Sequence, residues 1–481
     1  MRGFDLYYKK PFFIMTFDLF KNRDRACLTI GGSDSSGGAG IQADIKTFSS
    51  FNFSSASVIT ALTAQNSKGV FGIYPSSEEF VMEQLKAVFS DDNICGVKIG
   101  MLYSPEIISS VADFLSDVKI KVPIIVDPVM SAEAGGDLIK KEAIEVLKEK
   151  LIPISSIVTP NVEEAEKISG MRIKDERDAE IAAKKIYDLG TEVTIVTGGH
   201  LKGRDIFYDG DATKSSILCR ENGTFSHTVK IDGKLISGGT HGSGCTYSSS
   251  LTCLIAMGYS PLKSAIVSKR LLERSIEMYR RTGDNTGCVN QTAWLLDDCD
   301  RYYVMNNLKR SVEEILKLKN IGKIIPEVGS NLGMAIHHPK DLKDIAAVEG
   351  RITKVNEKKV RAGCVSFGAS EHVARMILTA MIYDDGIRSA MNIKFSEEIL
   401  DICKELSSSI SYFNRKEEPK GAKTMEWGIS ESIKNFEKFG KVPEIIFDRG
   451  GIGKEPMIRI FGGSSDEVVE KVRKILDNFK Y

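Results

Sequence analysis

The chain has 481 residues, 42% of them hydrophobic and 27% charged, with 65 basic and 65 acidic side chains. That length exceeds one ordinary domain and suits two or three, and the zero net charge supplies no field that would draw the whole protein to nucleic acid or an anionic membrane. Nine cysteines at irregular spacings include no C-x-x-C pair, which excludes the usual zinc and redox motifs and points to reduced thiols in a cytoplasmic protein.

Residues 1–25 read as an N-terminal extension. Their apolar run, Phe12 to Phe17, is short, is interrupted by Thr16 and meets Asp18, with no small-residue cleavage site after it. From Ala26 the text alternates. The apolar runs Cys27–Ile30, Ile124–Val126, Ile157–Val158 and Val193–Val196 are separated by amphipathic stretches at Ala39–Phe51, Glu79–Phe89, Pro105–Leu115, Lys141–Leu151 and Val162–Ser169. Short apolar strands alternating with helices predict an α/β unit: a mostly parallel sheet with helices on both faces. Ligands of such sheets bind at the carboxyl ends of the strands, so the residues after each run are the candidates.

Gly31-Gly32-Ser33-Asp34-Ser35-Ser36-Gly37-Gly38-Ala39-Gly40 follows the first run and opens a helix. It permits close approach of backbone to a ligand, but matches neither the dinucleotide fingerprint nor the P-loop; alone it is equally a turn with a helix cap. Asp127 ends the run Ile124–Val126 and could hold Mg²⁺ through water. Asn161 and Glu164 are three apart at a helix start and can face one site. Thr197, Gly198, Gly199 and His200 follow the run ending at Val196. Each of these could separately be a cap or a surface group; four polar clusters at four predicted strand ends argue for a site. Gly239-Thr240-His241-Gly242-Ser243-Gly244-Cys245-Thr246 then enters another helix. Such a loop aims free N–H groups at one point, where the helix dipole also attracts phosphate. Cys245 lies on the first turn, where a thiol pKa tends to fall, so a proton-accepting thiolate is expected.

The first domain is expected over 26–285, a linker over 286–304 and a second domain over 305–481. That second domain reads as another α/β unit. Ser330, Asn331, Arg351, Ser370, His372, Arg388, Asp448, Arg449 and Lys454 are polar groups beside glycines, the composition of a phosphate or diphosphate pocket.

The segments G-G-S-D-S-S-G-G-A-G-I-Q-A-D-I-K-T, S-V-I-T-A-L-T-A-Q-N, K-I-G-M-L, V-D-P-V-M, T-P-N-V-E-E-A, T-G-G-H and T-H-G-S-G-C-T run in this order. Over about residues 27–275 the chain resembles the hydroxymethylpyrimidine and hydroxymethylpyrimidine-phosphate kinases of thiamine synthesis. The resemblance implies a ribokinase-like three-layer α/β/α domain that uses ATP and Mg²⁺. It places Asp44 and Gln65 at the pyrimidine, with Gly32, Ala39 and Val129 lining the same pocket. Cys245 falls at the catalytic position, where sugar kinases of this fold carry Asp, with Gly242 and Gly244 as the anion hole. Asn161, Glu164, Asp127, Thr197 and Gly199 fall at the nucleotide, and Asp127 and Glu164 at the metal. One departure is Thr197, where many bacterial members carry a Lys that meets the ATP phosphates.

Over about residues 305–478 the chain resembles archaeal-type thiamine-phosphate synthase domains, whose three-layer α/β/α fold is similar to class II aldolases. The motifs V-E-G-R-I and G-A-S-E-H-V-A-R put that family's catalytic pair on Arg351 and His372. The resemblances imply a bifunctional enzyme: phosphorylation of hydroxymethylpyrimidine to its diphosphate, then condensation with hydroxyethylthiazole phosphate. The alternative is a pyridoxal-type kinase joined to a thiamine-phosphate-sensing domain. The expected partners are these small molecules and a second copy of the chain in a dimer.

Overall fold

The computed structural model describes residues 18–479 apart from 67, 92, 119–121, 132–137, 141, 200, 211–219, 222–223, 226–227, 282–286, 420, 437–440 and 452. The chain divides into two compact units, one ending at Leu295 and one beginning at Leu296.

Unbroken apolar runs in the first unit become strands covered on both sides. Cys27, Ile125, Ile157 and Ile195 enter clusters on one face, while Leu28, Val126, Val158 and Val196 enter the cluster on the other. Consecutive residues point to opposite faces of a strand, so both faces need apolar cover. The helices supply it: Pro105–Asp117, Val162–Ser169 and Glu176–Tyr187 on one side, Gly40–Ser50, Ser243–Ala256 and Pro261–Glu277 on the other. The nine strands lie in the order Thr228–Ile231, Asp205–Tyr208, Val193–Val196, Ile157–Val158, Ile124–Val126, Ile94–Ile99, Ala26–Asp34, Ser54–Asn66, Gly69–Pro75. The central pairings are parallel and the edge pairings antiparallel, giving a mixed α/β sheet. The pairing of Ala26–Asp34 with Ser54–Asn66 shifts register between Gly31 and Gly32, where the first glycine loop leaves the sheet.

Two boundaries differ from expectation. Residues 18–25 are docked: Asn22 is buried and its Nδ2 donates to the Phe51 carbonyl at 2.9 Å. Residues 1–17 of the expected extension lie outside the described residues. The stretch expected as a linker carries buried Val289 and Ala293, and Ala293–Lys317 is one continuous helix.

The second unit has a seven-stranded sheet in the order Val365–Phe367, Ile345–Val348, Leu332–Ala335, Ser389–Lys394, Met457–Gly462, Ile445–Asp448, Ile410–Tyr412. Only Ile410–Tyr412 runs parallel to its neighbour. Helices again cover both faces, Glu397–Leu406 and Ser465–Asp477 on one side and Glu371–Tyr383 and Thr424–Lys434 on the other. Among the described residues no helix is long and apolar enough to cross a membrane.

Candidate functional site

In the first unit the two glycine loops meet. Gly242 caps the helix Ser243–Ala256 with φ +86°, and a Cβ there would lie 2.0 Å from the Gly38 carbonyl oxygen. Only glycine serves both constraints. Asp34 organises the first loop, accepting from the backbone N–H groups of Ser36, Gly38 and Ala39 at 2.8–3.0 Å. It also lies 2.9 Å from His241 Nε2 of the second loop. Burial would raise its pKa, but His241 and these donors hold it well below the carboxylate range. Gln65 reaches the same point, its Nε2 3.4 Å from His241 Nε2. Gly32 is buried, and Ala39 and Val129 are partly buried; Val129 packs with Met101 and Leu138.

Beneath the loops lies a buried charge cluster that sequence reasoning missed at its centre. Lys98, 1% exposed, donates to Asp44 Oδ2 at 3.0 Å and lies 3.9 Å from Asp127 Oδ2. Burial disfavours its charge, yet Asp44, Cys245 and Asp127 together raise its pKa and keep it protonated. Asp44 also accepts from Thr29 Oγ1 at 2.6 Å and Ser249 Oγ at 2.7 Å. Asp44, 1% exposed and engaged by three side chains, positions Lys98. The signal for Lys98 was a charged residue inside the apolar run Ile94–Ile99, since such a residue is fully buried only when paired.

Cys245, Ser248 and Ser249 stand on one face of their helix, and Ser248 Oγ donates to Asp127 Oδ2 at 3.1 Å. The expected thiolate is corrected. Burial and the Asp44 and Asp127 charges push Cys245 up to about 12, against Lys98 and the Gly40 N–H, so the thiol keeps its proton at neutral pH. Gly244 packs against the Asp127 carboxylate, where a Cβ would stand 3.6 Å from Oδ2.

Asn161 and Glu164 form a capping box. Asn161 Oδ1 accepts from the Glu164 N–H at 2.9 Å, and Glu164 Oε2 accepts from the Asn161 N–H at 2.9 Å. Burial, then the Asp127 charge, raises Glu164 to about 8; burial likewise raises Asp127. Two buried carboxylates held above their ordinary range fit a divalent cation that takes its remaining oxygens from phosphate and water. Among the described residues no cluster of three or more His, Cys, Asp or Glu forms a metal site of its own. Thr197 bridges to Asn161, and Gly199 is exposed with open space around it. His200 lies outside the described residues. Lys98 stands three strands from the run ending at Val196, so it does not replace the Lys that Thr197 displaces.

In the second unit Arg351 and His372 come together at the edge where Ile345–Val348 ends and Leu332–Ala335 begins. Arg351 is exposed and donates to the Val328 carbonyl. Desolvation and the charges of Arg459, Arg415 and Arg351 hold His372 down at about 4, so its ring is neutral. Asp448 joins them, accepting from Arg459 Nη2 at 2.8 Å and from Arg415 Nη2 at 3.1 Å. Arg415 and Arg459 were missed. Arg459 interrupts the buried run Met457–Gly462, the same signal as Lys98. Other expected polar groups lie elsewhere or are committed. Arg388 is at the opposite end of the sheet, bonded to Asp300 and His337. Arg449 pairs with Glu397 and Lys454 with Glu418. Asn331 ties its side chain to the backbone of Val348. Ser370 precedes the helix Glu371–Tyr383 and makes no side-chain cap.

Residues 34–290 match the phosphomethylpyrimidine kinase family, and residues 307–474 match the ThiN thiamine-phosphate synthase family. The chain is 33% identical over 452 residues to the bifunctional thiamine biosynthesis protein ThiDN of Methanocaldococcus jannaschii, covering 93% of this chain and 97% of that one. It is 39% identical over 271 residues to the hydroxymethylpyrimidine/phosphomethylpyrimidine kinase of Haemophilus influenzae, covering 56% of this chain and 96% of that one. A solved phosphomethylpyrimidine kinase from Clostridium difficile is 39% identical, with 52% of this chain and 97% of that one covered and a TM-score of 0.44. The two family models and the ThiDN and kinase relatives favour the kinase–synthase reading over a pyridoxal-type kinase with a sensing domain.

Proposed function

Since the chain belongs to the family of bifunctional thiamine-biosynthesis proteins that join a phosphomethylpyrimidine kinase to a ThiN-type synthase, we propose that its two sheet-end sites carry out the two reactions through the residues described above. The chain is an enzyme of thiamine biosynthesis, a hydroxymethylpyrimidine and phosphomethylpyrimidine kinase and a thiamine-phosphate synthase. The kinase step transfers a phosphoryl group from ATP to the hydroxymethyl oxygen and then to the monophosphate.

The observation that carries the kinase assignment is the convergence of Cys245, Ser248 and Ser249 on the Lys98–Asp44–Asp127 cluster beneath two interlocked glycine loops. Gln65 and the wall of Gly32, Ala39 and Val129 receive the pyrimidine; Asp44 acts through Lys98. The backbone at Gly242 and Gly244 meets the transferring phosphoryl group, whose charge is spread over its oxygens. Once the neighbouring carboxylate charge is met, Cys245 would lose its proton to solvent and, as the thiolate, accept the hydroxyl proton as the phosphoryl group transfers. Asp127 and Glu164 would hold magnesium, which would supply that compensation and neutralise charge on the nucleotide phosphates. Asn161, Thr197 and Gly199 border the nucleotide.

In the second unit Arg351 and neutral His372 hold the diphosphate as it leaves the pyrimidine methylene, and the thiazole nitrogen attacks that carbon. A neutral imidazole can donate one hydrogen bond to an oxyanion without a proton transfer. The two helical layers on one sheet are compatible with the class II aldolase-like arrangement. The same reading places the enzyme in the cytoplasm as a dimer. Leu62, Phe71 and Tyr74 are exposed on the edge strand Gly69–Pro75 and its neighbour Ser54–Asn66, a surface that sedimentation would show as paired.

The test is a single reaction: purified full-length chain with Mg-ATP, hydroxymethylpyrimidine and hydroxyethylthiazole phosphate yields thiamine phosphate. Accumulation of the pyrimidine diphosphate without thiamine phosphate would refute the synthase half; no phosphorylated pyrimidine would refute the kinase half.

A further inference from the structure

Arg459 lies in the middle of the strand Met457–Gly462 and is 1% exposed. Its Nη2 donates to Asp448, and its guanidinium carbon stands 5.1 Å from the centre of the Phe413 ring. Its Nε and Nη1 are sealed from solvent and have no hydrogen-bond partner among the described residues. Buried donors are almost always paired, and on a charged group the omission is most costly. Strand packing does not require this residue, because an apolar side chain of similar volume would satisfy Phe413, Ile446 and Phe461 on that face and bury no charge.

Arg415 reaches the same carboxylate from outside the strand. Its side chain is 9% exposed, both Nε and Nη2 engage Asp448, and it faces the same Phe413 ring at 5.8 Å. Both guanidiniums bear on His372, as does Arg351. One carboxylate therefore balances the inner pair only in part, and the surplus positive charge sits beside the proposed synthase residues. Planar guanidinium groups are suited to phosphate oxygens through directed N–H bonds.

We propose that Arg459 and Arg415, held on Asp448, form the receptor for a phosphate oxyanion of the bound substrate, with Arg459 Nε and Nη1, sealed in the unliganded protein, as the donors it engages. Arg351 at the rim and this inner pair then make two separate anion contacts in one site. The ligand chemistry is shared by the diphosphate of the pyrimidine substrate and the phosphate monoester of the thiazole substrate. The inference rests on the reading of Arg351 and His372 as the synthase site.

The test uses the full chain with Arg459→Lys, which keeps the charge and removes both of those donors. Calorimetric titrations are run with inorganic diphosphate in one arm and hydroxyethylthiazole phosphate in the other. Kinase turnover and the melting of the second unit are read on the same protein. The expected result is a loss of tenfold or more in affinity in at least one arm, with kinase turnover unchanged. Loss in the diphosphate arm alone assigns the pair to the leaving group; loss in the other arm alone assigns it to the thiazole phosphate. Wild-type affinity in both arms, in a folded Arg459→Lys protein, overturns the proposal. Should that variant fail to fold, Arg415→Lys is titrated in the same way, and wild-type affinity in both arms again overturns it. Arg351→Ala is assayed alongside. If it keeps full synthase turnover while Arg459→Lys weakens binding, the assignment of Arg351 falls and the inner receptor stands.

Discussion

In the first unit one ammonium, Lys98, stands among three buried carboxylates, Asp44, Asp127 and Glu164. In the second, three guanidiniums, Arg351, Arg415 and Arg459, surround one carboxylate, Asp448. The two sites carry opposite imbalances. Burial and then the Asp127 charge raise Glu164 to about 8, and the surplus carboxylate calls for a cation; desolvation and then the guanidiniums lower His372 to about 4, and their surplus charge calls for an anion. A nucleotide kinase needs the first and a diphosphate-releasing synthase the second. In both units the sign of the uncompensated charge predicts the class of ligand.

The sharpest test of this contrast is separability. Cys245→Ala is expected to lower kinase kcat by about 10²–10⁴-fold, the range for loss of a positioned proton acceptor. Supplied pyrimidine diphosphate is still converted to thiamine phosphate. Unchanged phosphorylation would remove Cys245 from the reaction. Arg351→Ala should do the converse, costing about 10²–10³-fold in the synthase step, as loss of one oxyanion donor does. Parallel loss of the kinase step would mean that the two sites are not independent.

Lys98→Met leaves Asp44 and Asp127 buried without their cation. Removing one partner of a buried pair costs about 3–5 kcal/mol, so chemical denaturation should show the first unit weakened by that amount. A stable Lys98→Met protein would mean that Lys98 is not the cluster's keystone. The smallest effect concerns pH. Desolvation and three guanidiniums disfavour imidazolium at His372, so the ring stays neutral from neutral pH down to about 4 and becomes charged only below that. The profile of kcat/KM for the synthase step should therefore show no break from His372 near 6.5. A break there would place His372 outside the guanidinium field.

The contrast also separates what was legible in the sequence from what was not. Alternating apolar runs determined the layered first unit, because a strand apolar at every position must be covered on both faces. Motif order carried Gly242, Gly244, Gln65 and Cys245 to one edge of one sheet, since parallel strands present their carboxyl ends together. The pair Arg351 and His372 was expected from the resemblance carried by the E-G-R and G-x-x-x-H contexts, and folding brings the two side chains into one electrostatic field. Protonation was not readable. Position on a first helical turn argued for a Cys245 thiolate, and the structure reverses this because Asp44 and Asp127 arrive from distant strands. The partners of Asp44 were not readable for the same reason: Thr29, Lys98 and Ser249 are brought to it only by folding. The sequence by itself determined which groups lie at the sheet ends. Tertiary structure decided which charges are compensated there, because electrostatic energy depends on burial and on neighbours remote in the chain.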